Sequence, residues 1–464
     1  MFLRAKAISY ANPKNLRPRK AVIILVLFPL LITSVTRGGT QTVATDPGVR
    51  GSPAGAGAPI AGLTANQTSY FNAGLDDFME IQSVLGTIAD TSLGLGPRFN
   101  GESCGQCHAQ PAVGGTSPSV NPQVAAASDQ GATNQLPFFI TLNGPVREAR
   151  FPFAADLRHA DGGVHDLFTI TGRSDAKGCT LAQPDFRRAA AEGNLVFRIP
   201  TPVFGGGLIE AISDSAILAN MRSQLYRKRL LGIRGRPNTN GNDGSITRFG
   251  WKAQNKSLQL FAAEAYNVEM GITNEIFPNE RDETPSCQFN GIPEDATHFD
   301  ADGTEFPSDV VKFVLFMRLL DQPKPAPSTP SIESGRQVFQ NIGCALCHTP
   351  SLRTEKSSVA ALSKVDVNLF SDLLLHRMGP GLHDHISQGV ARGDEFRTAP
   401  LWGLGQRIFF LHDGRTTDLV KAIQAHASNR NAWYPDSESN AVIANYNRLS
   451  VREQQDLLNF LRSL

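Results

Sequence analysis

Two copies of one five-residue pattern constrain this chain more than any other feature of its 464 residues. The first copy runs from Cys104 to His108 and the second from Cys344 to His348. In each copy two residues separate a pair of cysteines, and a histidine directly follows the second cysteine. This C-x-x-C-H spacing is typical of c-type haem attachment, in which the two thiols add to the porphyrin vinyl groups. A redox dithiol or half of a zinc site is the alternative, but neither gives a reason for the two histidines.

The two patterns therefore predict two covalently bound haems, each containing iron. We expect the histidine of each pattern to lie under its porphyrin as the proximal ligand of the metal. The predicted cofactor-binding residues are Cys104, Cys107, Cys344 and Cys347, and the predicted proximal ligands are His108 and His348.

The charge balance excludes one broad class of function. Lys and Arg number 44 and Asp and Glu number 43, which gives a net charge of +1 without a basic block. Because phosphate contacts need clustered cations, we expect no nucleic-acid binding. Hydrophobic residues make up 41% of the chain, which is enough for a folded core, and 42 Gly with 29 Pro predict many loops and turns.

The segments around the two patterns repeat one plan: a helix, the C-x-x-C-H loop, a variable middle and a closing helix. Apolar spacing predicts helices over 71–85 and 308–317 around the first pattern, and over 331–339 and 449–461 around the second. The fold predicted from this repeat is mainly α, with two cytochrome c-like domains in tandem.

Domain boundaries follow from the same repeat. An N-terminal cytochrome c-like haem domain is predicted over 67–321, a Pro-rich linker over 322–331, and a C-terminal cytochrome c-like haem domain over 332–464. The first domain carries a large insertion of loops and short strands, predicted from alternating apolar runs at 138–142 and 164–170.

Residues 1–44 have the composition of an export segment. Basic residues precede an apolar run at 21–32, and small and polar residues follow it. The run is short for a membrane span, and either a cleaved signal peptide or a retained N-terminal anchor fits it. We therefore expect an exported, periplasmic protein whose link to the membrane is at most this anchor. Residues 45–66, rich in Gly, Ala, Pro and Thr, are predicted to form a flexible leader.

Two cysteines remain outside the haem patterns. Cys179 and Cys287 form an even pair in a chain predicted to reach an oxidising compartment. We predict a disulfide that joins the insertion to the loop before the closing helix of the first domain. Two buried free thiols are the alternative, because sequence alone does not place their Cα atoms.

Four further segments resemble a known family. They are residues 99–101, 248–253, 269–271 and 396–415. Together with the two haem patterns they resemble the dihaem cytochrome c peroxidase superfamily, and within it a branch of dihaem oxidoreductases often labelled thiol oxidoreductases. The likeness extends over roughly residues 60–464. It implies peroxidase-type chemistry and also a calcium ion, for which the sequence assigns no ligands.

For the second haem the resemblance implies a second axial ligand. In the superfamily this residue lies 14 positions after the histidine of an H-D-G turn, and counting from His412 reaches His426. Relatives place Met or Tyr there, so His426 predicts a haem with two imidazole ligands and a lowered reduction potential. A helix-end histidine without iron is the alternative. We expect His412 to brace the pocket by hydrogen bonding.

The first haem lacks the distal histidine that peroxidases of this superfamily carry. The corresponding position is Val124. The resemblance therefore leaves an iron that is open or weakly ligated, or one capped by His159 or His165 of the insertion. We favour the open iron and regard His165 as the better candidate for a cap.

Peroxide cleavage also needs a proton-transferring group over the iron. Relatives place a glutamate shortly after a serine-leucine pair that matches Ser257 and Leu258, where this chain has Gln259. Glu264, one helical turn farther on, and Glu210 are the candidates, and either is alternatively a structural carboxylate.

A tryptophan between the haems would relay electrons, as one does in relatives. Trp251 and Trp402 are the candidates here, and Trp251 is preferred. Simple packing of either indole against the core is the alternative.

These observations predict an exported dihaem c-type oxidoreductase. We expect peroxide to be reduced at the N-terminal haem, with electrons relayed by the C-terminal haem from a small donor protein such as a monohaem cytochrome or a cupredoxin. One alternative is an electron-transfer cytochrome without catalysis. The other is a dihaem oxidase that modifies a protein or organic substrate.

Overall fold

The computed structural model describes residues 43–51, 53–161, 168–279 and 284–464. The predicted signal peptide or anchor thus lies outside the described residues, apart from its last two positions. Among the described residues, no helix is long and apolar enough to cross a membrane. The α-helices of this part are α1 Ala65–Met79, α2 Cys104–Cys107, α3 Pro122–Asp129, α4 Phe186–Ala191, α5 Gly206–Glu210, α6 Asp214–Arg222, α7 Leu225–Leu230, α8 Leu258–Met270, α9 Asp309–Leu319, α10 Pro330–Ile342, α11 Leu419–Gln424, α12 Asn440–Asn447 and α13 Val451–Ser463.

Strands in the described part are two or three residues long and pair into two-stranded ladders. Helix accounts for 32% of the described residues and strand, with isolated bridges, for 12%, so helix is the main regular structure, as predicted. The pairs are β1 Gln82–Ser83 with β2 Ser92–Leu93, β3 Arg98–Phe99 with β5 Ile170–Thr171, β4 Glu148–Arg150 with β6 Val196–Arg198, β7 Asn238–Thr239 with β8 Ile246–Thr247, β9 His298–Phe299 with β10 Glu305–Phe306, β11 Leu352–Arg353 with β12 Asp366–Val367, and β13 Leu375–Arg377 with β14 Glu395–Arg397.

Helices α1 and α9, on either side of the first C-x-x-C-H pattern, pack against each other. Their contact is close because a Cβ on Gly74 would lie 2.2 Å from the carbonyl oxygen of Lys312. The rings of Phe71 and Phe316 meet beside it with centroids 5.3 Å apart. Helix α1 begins six residues before the predicted start at 71, because Thr64 caps it with a reciprocal side-chain bond to Gln67.

Helices α10 and α13 repeat this arrangement around the second pattern. A Cβ on Gly335 would lie 1.9 Å from the carbonyl oxygen of Asp456, and the rings of Phe339 and Phe460 are 5.3 Å apart. Helix α13 starts at a capping box, in which the Ser450 hydroxyl accepts from the Glu453 amide while the Glu453 carboxylate accepts from the Ser450 amide. Each pattern therefore sits beside a helix pair held together at a glycine.

Two large apolar clusters form the core of the described part. One contains α8 and α9 side chains such as Leu258 and Phe316, and the other contains α10 and α13 side chains such as Phe339 and Leu458. Residues Val43–Leu464 nevertheless form one compact unit. The division of the chain into two tandem domains at 322–331 therefore stays a prediction.

The leader predicted to be flexible over 45–66 instead makes defined contacts along the molecule. Asp46 forms an ion pair with Arg462 of α13 at 2.7 Å. The Arg50 amide donates to the Gly405 carbonyl at 2.7 Å, and the Ile60 amide donates to the Leu319 carbonyl at 2.8 Å. These polar contacts fix a segment whose Gly- and Pro-rich composition suggested freedom.

Among the described residues of the insertion, the strands lie mostly outside the two predicted runs. The run 138–142 forms turns, and it is apolar because Phe139 and Ile140 are buried against Phe186. Of the run 164–170, residues 164–167 lie outside the described residues and Ile170 begins β5. The predicted disulfide is confirmed: Cys179 and Cys287 are bonded, with Cα atoms 4.7 Å apart.

Candidate haem sites

A cavity of about 1190 Å³, counting its open mouth, lies beside the first C-x-x-C-H pattern. Helix α2 carries the two cysteines at its edge, and α8 and the β4–β6 ladder line other parts of it. The residues that the argument uses are Cys104, Cys107, His108, Glu148, Arg150, Trp251, Glu264 and Glu269.

His108 is oriented as a haem ligand requires. Its Nδ1 lies 3.0 Å from the carbonyl oxygen of Gly115, so Nδ1 carries the proton and Nε2 keeps a free lone pair. Burial lowers the pKa of His108 to about 4, which favours the neutral imidazole that binds a metal. The thiols and this imidazole thus suit a porphyrin iron.

The same cavity is lined by three carboxylates, Glu148, Glu264 and Glu269, and by the guanidinium of Arg150. The Glu148 carboxylate pairs with Arg150 at 2.8 Å on β4, and the Asn255 amide donates to the Glu264 carboxylate. Burial, followed by repulsion from Glu148, raises the pKa of Glu269 to about 8. At neutral pH this carboxyl is therefore protonated, and strongly shifted groups of this kind are often found at functional sites.

The two catalytic glutamates predicted from sequence have different surroundings. Glu264 lines the cavity, whereas Glu210 is not among its lining residues. The Glu210 carboxylate accepts from the Leu258 amide at 3.0 Å and pairs with Arg318 at 2.8 Å. Glu210 therefore caps α8 and ties it to α9, which is the structural role that the sequence left open.

His159, one of the two candidate caps of the first iron, does not line this cavity. The His159 side chain is 83% exposed and pairs with Asp156 in a surface turn. His165 lies outside the described residues. Val124, where relatives carry a distal histidine, packs against the apolar cluster of the insertion.

A second cavity, of about 1440 Å³, contains both histidines predicted for the second haem. His348 and His426 line it together with Cys344 and Cys347. The Nδ1 atom of His348 lies 3.0 Å from the Phe370 carbonyl oxygen. The Nδ1 atom of His426 lies 2.8 Å from the carbonyl oxygen of Ala422, one helical turn earlier. Both rings therefore keep Nε2 for a ligand.

His348 and His426 line the same cavity, and the pKa values of both imidazoles are lowered. Burial and the neighbouring His426 lower the pKa of His348 to about 4, and burial also lowers the pKa of His426. Hydroxyls of Ser437 and Ser439 donate to the His426 carbonyl at 2.7 and 2.6 Å and hold its backbone. The arrangement fits an iron with two imidazole ligands.

His412, expected to brace this pocket by hydrogen bonding, accepts from the Ile199 amide at 2.8 Å through its backbone carbonyl, and its ring makes aromatic contacts. It lines the cavity and stacks on Phe396 with centroids 4.3 Å apart. Burial lowers the pKa of His412 to about 4, so the stacked ring is neutral.

His376 is a buried residue of this cavity for which the sequence analysis predicted no role. Its ring lies between Asp372 at 2.9 Å and Glu438 at 3.0 Å, and 3.6 Å from the Cys347 sulfur. Burial lowers the pKa of His376, but the Cys347 sulfur and the Asp372 carboxylate raise it well above its ordinary value. The spacing of Asp372 and His376 was visible in the sequence, whereas Glu438 comes from a distant segment.

Trp251 lines both cavities. Its Nε1 donates to the Ile199 carbonyl at 3.0 Å, and its ring lies 6.4 Å from that of His412. Trp402, the other predicted relay, belongs to the first apolar cluster and lines neither of these two cavities. The structure thus brings Trp251, and not Trp402, to a position between the sites.

A buried ion cluster adjoins Trp251 and was missed in the sequence. Lys252 Nζ lies 3.0 Å from one Asp384 oxygen, and Arg198 Nη2 lies 2.9 Å from the other. Lys252 also lies 4.0 Å over the Phe396 ring. Because Arg198 and Asp384 are 186 positions apart, local spacing carried no signal for this pair.

Two cavities, each with a C-x-x-C-H pattern and a free imidazole Nε2, define a dihaem oxidoreductase. Residues 156–464 match the profile of a family described as "Di-haem oxidoreductase, putative peroxidase". Because this match covers more than half of the chain, the protein belongs to that family, as its sequence resemblance indicated.

Several solved structures are similar at low identity. A hydrazine synthase of Kuenenia stuttgartiensis is 12% identical, with coverage of 94% of this chain and 100% of that one and a TM-score of 0.33. A MauG-like protein associated with microbial copper homeostasis is 17% identical, with coverage of 57% and 90% and a TM-score of 0.29. A dihaem peroxidase of Burkholderia thailandensis is 15% identical, with coverage of 57% and 86% and a TM-score of 0.29. No curated protein matches the chain.

Proposed function

We propose that this protein is an exported dihaem c-type oxidoreductase that reduces peroxide at the N-terminal cavity. One observation carries the proposal: the two cavities differ. Two imidazoles with free Nε2 atoms line the C-terminal cavity, whereas His108 faces carboxylates and an arginine in the N-terminal one. A site with one protein ligand keeps a position for substrate, while a site with two protein ligands transfers electrons.

The haems would be held covalently by the four cysteines of the two patterns. When bound, their irons supply the one-electron redox chemistry and the coordination position that peroxide needs. The protein contributes the axial imidazoles, the proton donors and the path between the two sites. The following steps concern these side chains alone.

Glu264 would move the proton that peroxide cleavage requires. Its carboxylate lines the N-terminal cavity and is oriented by the Asn255 amide, which leaves one oxygen for a substrate proton. Arg150, next to Glu148, places a positive charge in the same cavity, where it would stabilise a developing negative charge. Glu269 would restore the proton.

Trp251 would carry electrons between the sites. Trp251 lines both cavities, and its buried indole is fixed by the hydrogen bond to the Ile199 carbonyl. Electrons would enter at the C-terminal haem from a small donor protein in the periplasm, such as a monohaem cytochrome or a cupredoxin. Export would depend on residues 1–44.

Calcium remains a proposal without assigned ligands. Across the described ranges, no group of three or more His, Cys, Asp or Glu side chains is arranged to hold a metal ion. Several acidic residues near the haem cavities have cationic partners, such as Asp384 with Lys252.

Optical spectra of the oxidised holoprotein test the proposed function. We expect one low-spin haem and one haem with a high-spin component that shifts on adding cyanide or hydrogen peroxide. Stoichiometric reduction of hydrogen peroxide by the prereduced protein should follow. Two low-spin, unreactive haems would instead identify an electron-transfer cytochrome without catalysis.

A further inference from the structure

A large aromatic side chain stands at the surface of an ordered loop. Trp433 is 74% exposed, in the loop between His426 and α12. The Asn431 side chain accepts from the amides of Trp433 and Tyr434, both at 2.8 Å, and Arg430 pairs with Asp436 at 2.9 Å. The indole is thus exposed on a loop whose backbone these bonds fix.

Behind this indole lies a cluster of rings, which we call the port cluster: Phe153, His383, His385, Trp433 and Tyr434. Ring centroids are 6.1 Å apart for Trp433 and His385, 5.4 Å for Tyr434 and His385, and 4.1 Å for His383 and His385. The Tyr434 hydroxyl lies 2.8 Å from His385 Nδ1, and it donates a hydrogen bond when that nitrogen carries no proton. A phenol bonded to an imidazole in this way can lose an electron while its proton moves along the hydrogen bond.

The port cluster reaches inward to the electron-transfer side of the molecule. His383 directly follows Leu382, which lines the C-terminal cavity. Since neighbouring Cα atoms are about 3.8 Å apart, His383 lies one residue from the wall of that cavity. On its other side His383 adjoins Asp384, whose carboxylate binds Lys252, the chain neighbour of Trp251.

Two arginines on this side of the molecule have carboxylate partners. Arg430 is paired with Asp436, and Arg415 is paired with Asp413 at 2.7 Å. Burial lowers the pKa of His383 to about 4 and also lowers that of His385, so both rings are neutral near pH 7. Protein redox partners are guided by patches of unpaired charge, whereas neutral rings favour a neutral aromatic molecule.

We propose that the port cluster is a surface oxidation site, at which an uncharged phenol stacks on Trp433 and delivers single electrons to the C-terminal haem. This inference rests on the proposed peroxidase function. Each phenol loses one electron and its hydroxyl proton and leaves as a phenoxyl radical. Two phenols thus supply the two electrons that, with two protons, convert hydrogen peroxide to two waters. Within the cluster, Tyr434 passes its proton to His385 when oxidised and recovers it when reduced.

The test compares Trp433→Ala with Tyr226→Ala in the holoprotein. Tyr226 is the matched control because it is 83% exposed and lies on α7, outside the port cluster. With hydrogen peroxide and an uncharged methoxyphenol, we expect Trp433→Ala to oxidise the phenol at least tenfold more slowly, and Tyr226→Ala to match the parent. Peroxide consumption with ferrocyanide should stay unchanged in both variants.

A second readout is independent of turnover with phenol. A nitroso spin trap added with peroxide should label Trp433 or Tyr434, as located by peptide mass spectrometry. Saturation-transfer NMR without peroxide should show contact between the phenol and the parent protein, and loss of that contact in Trp433→Ala.

If Trp433→Ala oxidises the phenol at the parent rate, or if the spin trap labels residues outside the port cluster, the proposed phenol site is wrong. The proposed peroxidase function would not be affected by either result. Failure of the parent protein to consume peroxide with any donor would refute the proposed function. In that case the NMR comparison of the parent and Trp433→Ala would still show whether the phenol binds at Trp433. If Trp433→Ala loses electron uptake from a reduced monohaem cytochrome but still oxidises the phenol, a protein partner uses this surface and the phenol proposal is wrong.

Discussion

At the scale of single residues, the surroundings of Glu264 and Glu210 make opposite predictions. Glu264→Gln removes the carboxylate that faces the N-terminal cavity, so peroxide reduction should slow by about 10²–10⁴-fold in rapid-mixing experiments. Glu210→Gln removes the ion pair with Arg318 outside the cavity, so it should lower the melting temperature but leave that rate unchanged. Equal rates for the parent and Glu264→Gln would remove this glutamate from the mechanism.

His426 should determine the spin state and the reduction potential of the C-terminal haem. His426→Ala removes an imidazole from its cavity and should convert a low-spin spectrum to a high-spin one. His426→Met should remain low-spin with a higher potential, measured by redox titration. The matched control is His298→Ala, at an exposed strand residue. An unchanged spectrum in His426→Ala would show that iron takes another ligand.

Glu269 should make stability depend on pH in a defined direction. Its pKa is raised from 4.5 to about 8, first by burial and then by Glu148, so the folded protein holds a proton that the unfolded chain releases between these values. The contribution of this group to the free energy of unfolding should thus be complete below pH 4.5 and decline as pH rises to about 8.

Denaturant unfolding of the holoprotein at pH 5 and pH 8 measures this effect. The difference between the two pH values should shrink in Glu269→Gln and persist in Glu305→Gln, which alters an exposed carboxylate. An identical pH dependence in parent and Glu269→Gln would assign the titration to another group.

Sequence predicted the local part of the sites and missed the long-range part. The two C-x-x-C-H patterns are contiguous, so Cys104 and His348 needed no tertiary information. Glu148 and Glu269 share a cavity although they come from a strand and a helix that are far apart in the chain. Such a pairing depends on how β4 and α8 pack, which residue spacing does not encode.

At the scale of elements, the glycine contacts of the helix pairs should limit substitution. Gly335→Ala places a methyl carbon 1.9 Å from the Asp456 carbonyl, so α10 and α13 must separate, at a cost of about 1–3 kcal/mol. We expect a lower melting temperature with intact haem content. Gly241→Ala is the control, because a Cβ there meets no atom within 4 Å. Equal melting temperatures would show that the helix pair adapts.

The ends of elements were predicted less well than their presence. The first helix was expected over 71–85, but its cap at Thr64 starts it earlier and Glu80 ends it with an extended backbone. The run 138–142 alternates like a strand, yet its apolar residues are buried in turns. Burial of a loop and burial of a strand leave the same hydrophobic pattern, so tertiary packing decides between them.

At the scale of the whole molecule, Trp251 should set the rate of electron transfer between the two sites. Trp251→Phe keeps a ring between the cavities but removes the indole, so the transfer should slow at least tenfold when it is followed after rapid partial reduction. Trp402→Phe alters a buried indole of the core and should leave this rate unchanged. Equal slowing by both substitutions would point to general loosening of the fold.

The leader gives the molecule a built-in brace. Asp46 of this segment pairs with Arg462 in the last helix. The Gly55 carbonyl accepts from the Lys324 amide of the predicted linker at 2.8 Å, and the Ile60 amide donates to the Leu319 carbonyl of the first core. A segment that is bonded at both ends restrains bending of the molecule. Because electron transfer slows as the distance between two redox centres grows, this restraint favours rapid transfer. Proteolytic cleavage of this segment should leave the haem absorption spectrum unchanged and slow electron transfer between the two sites.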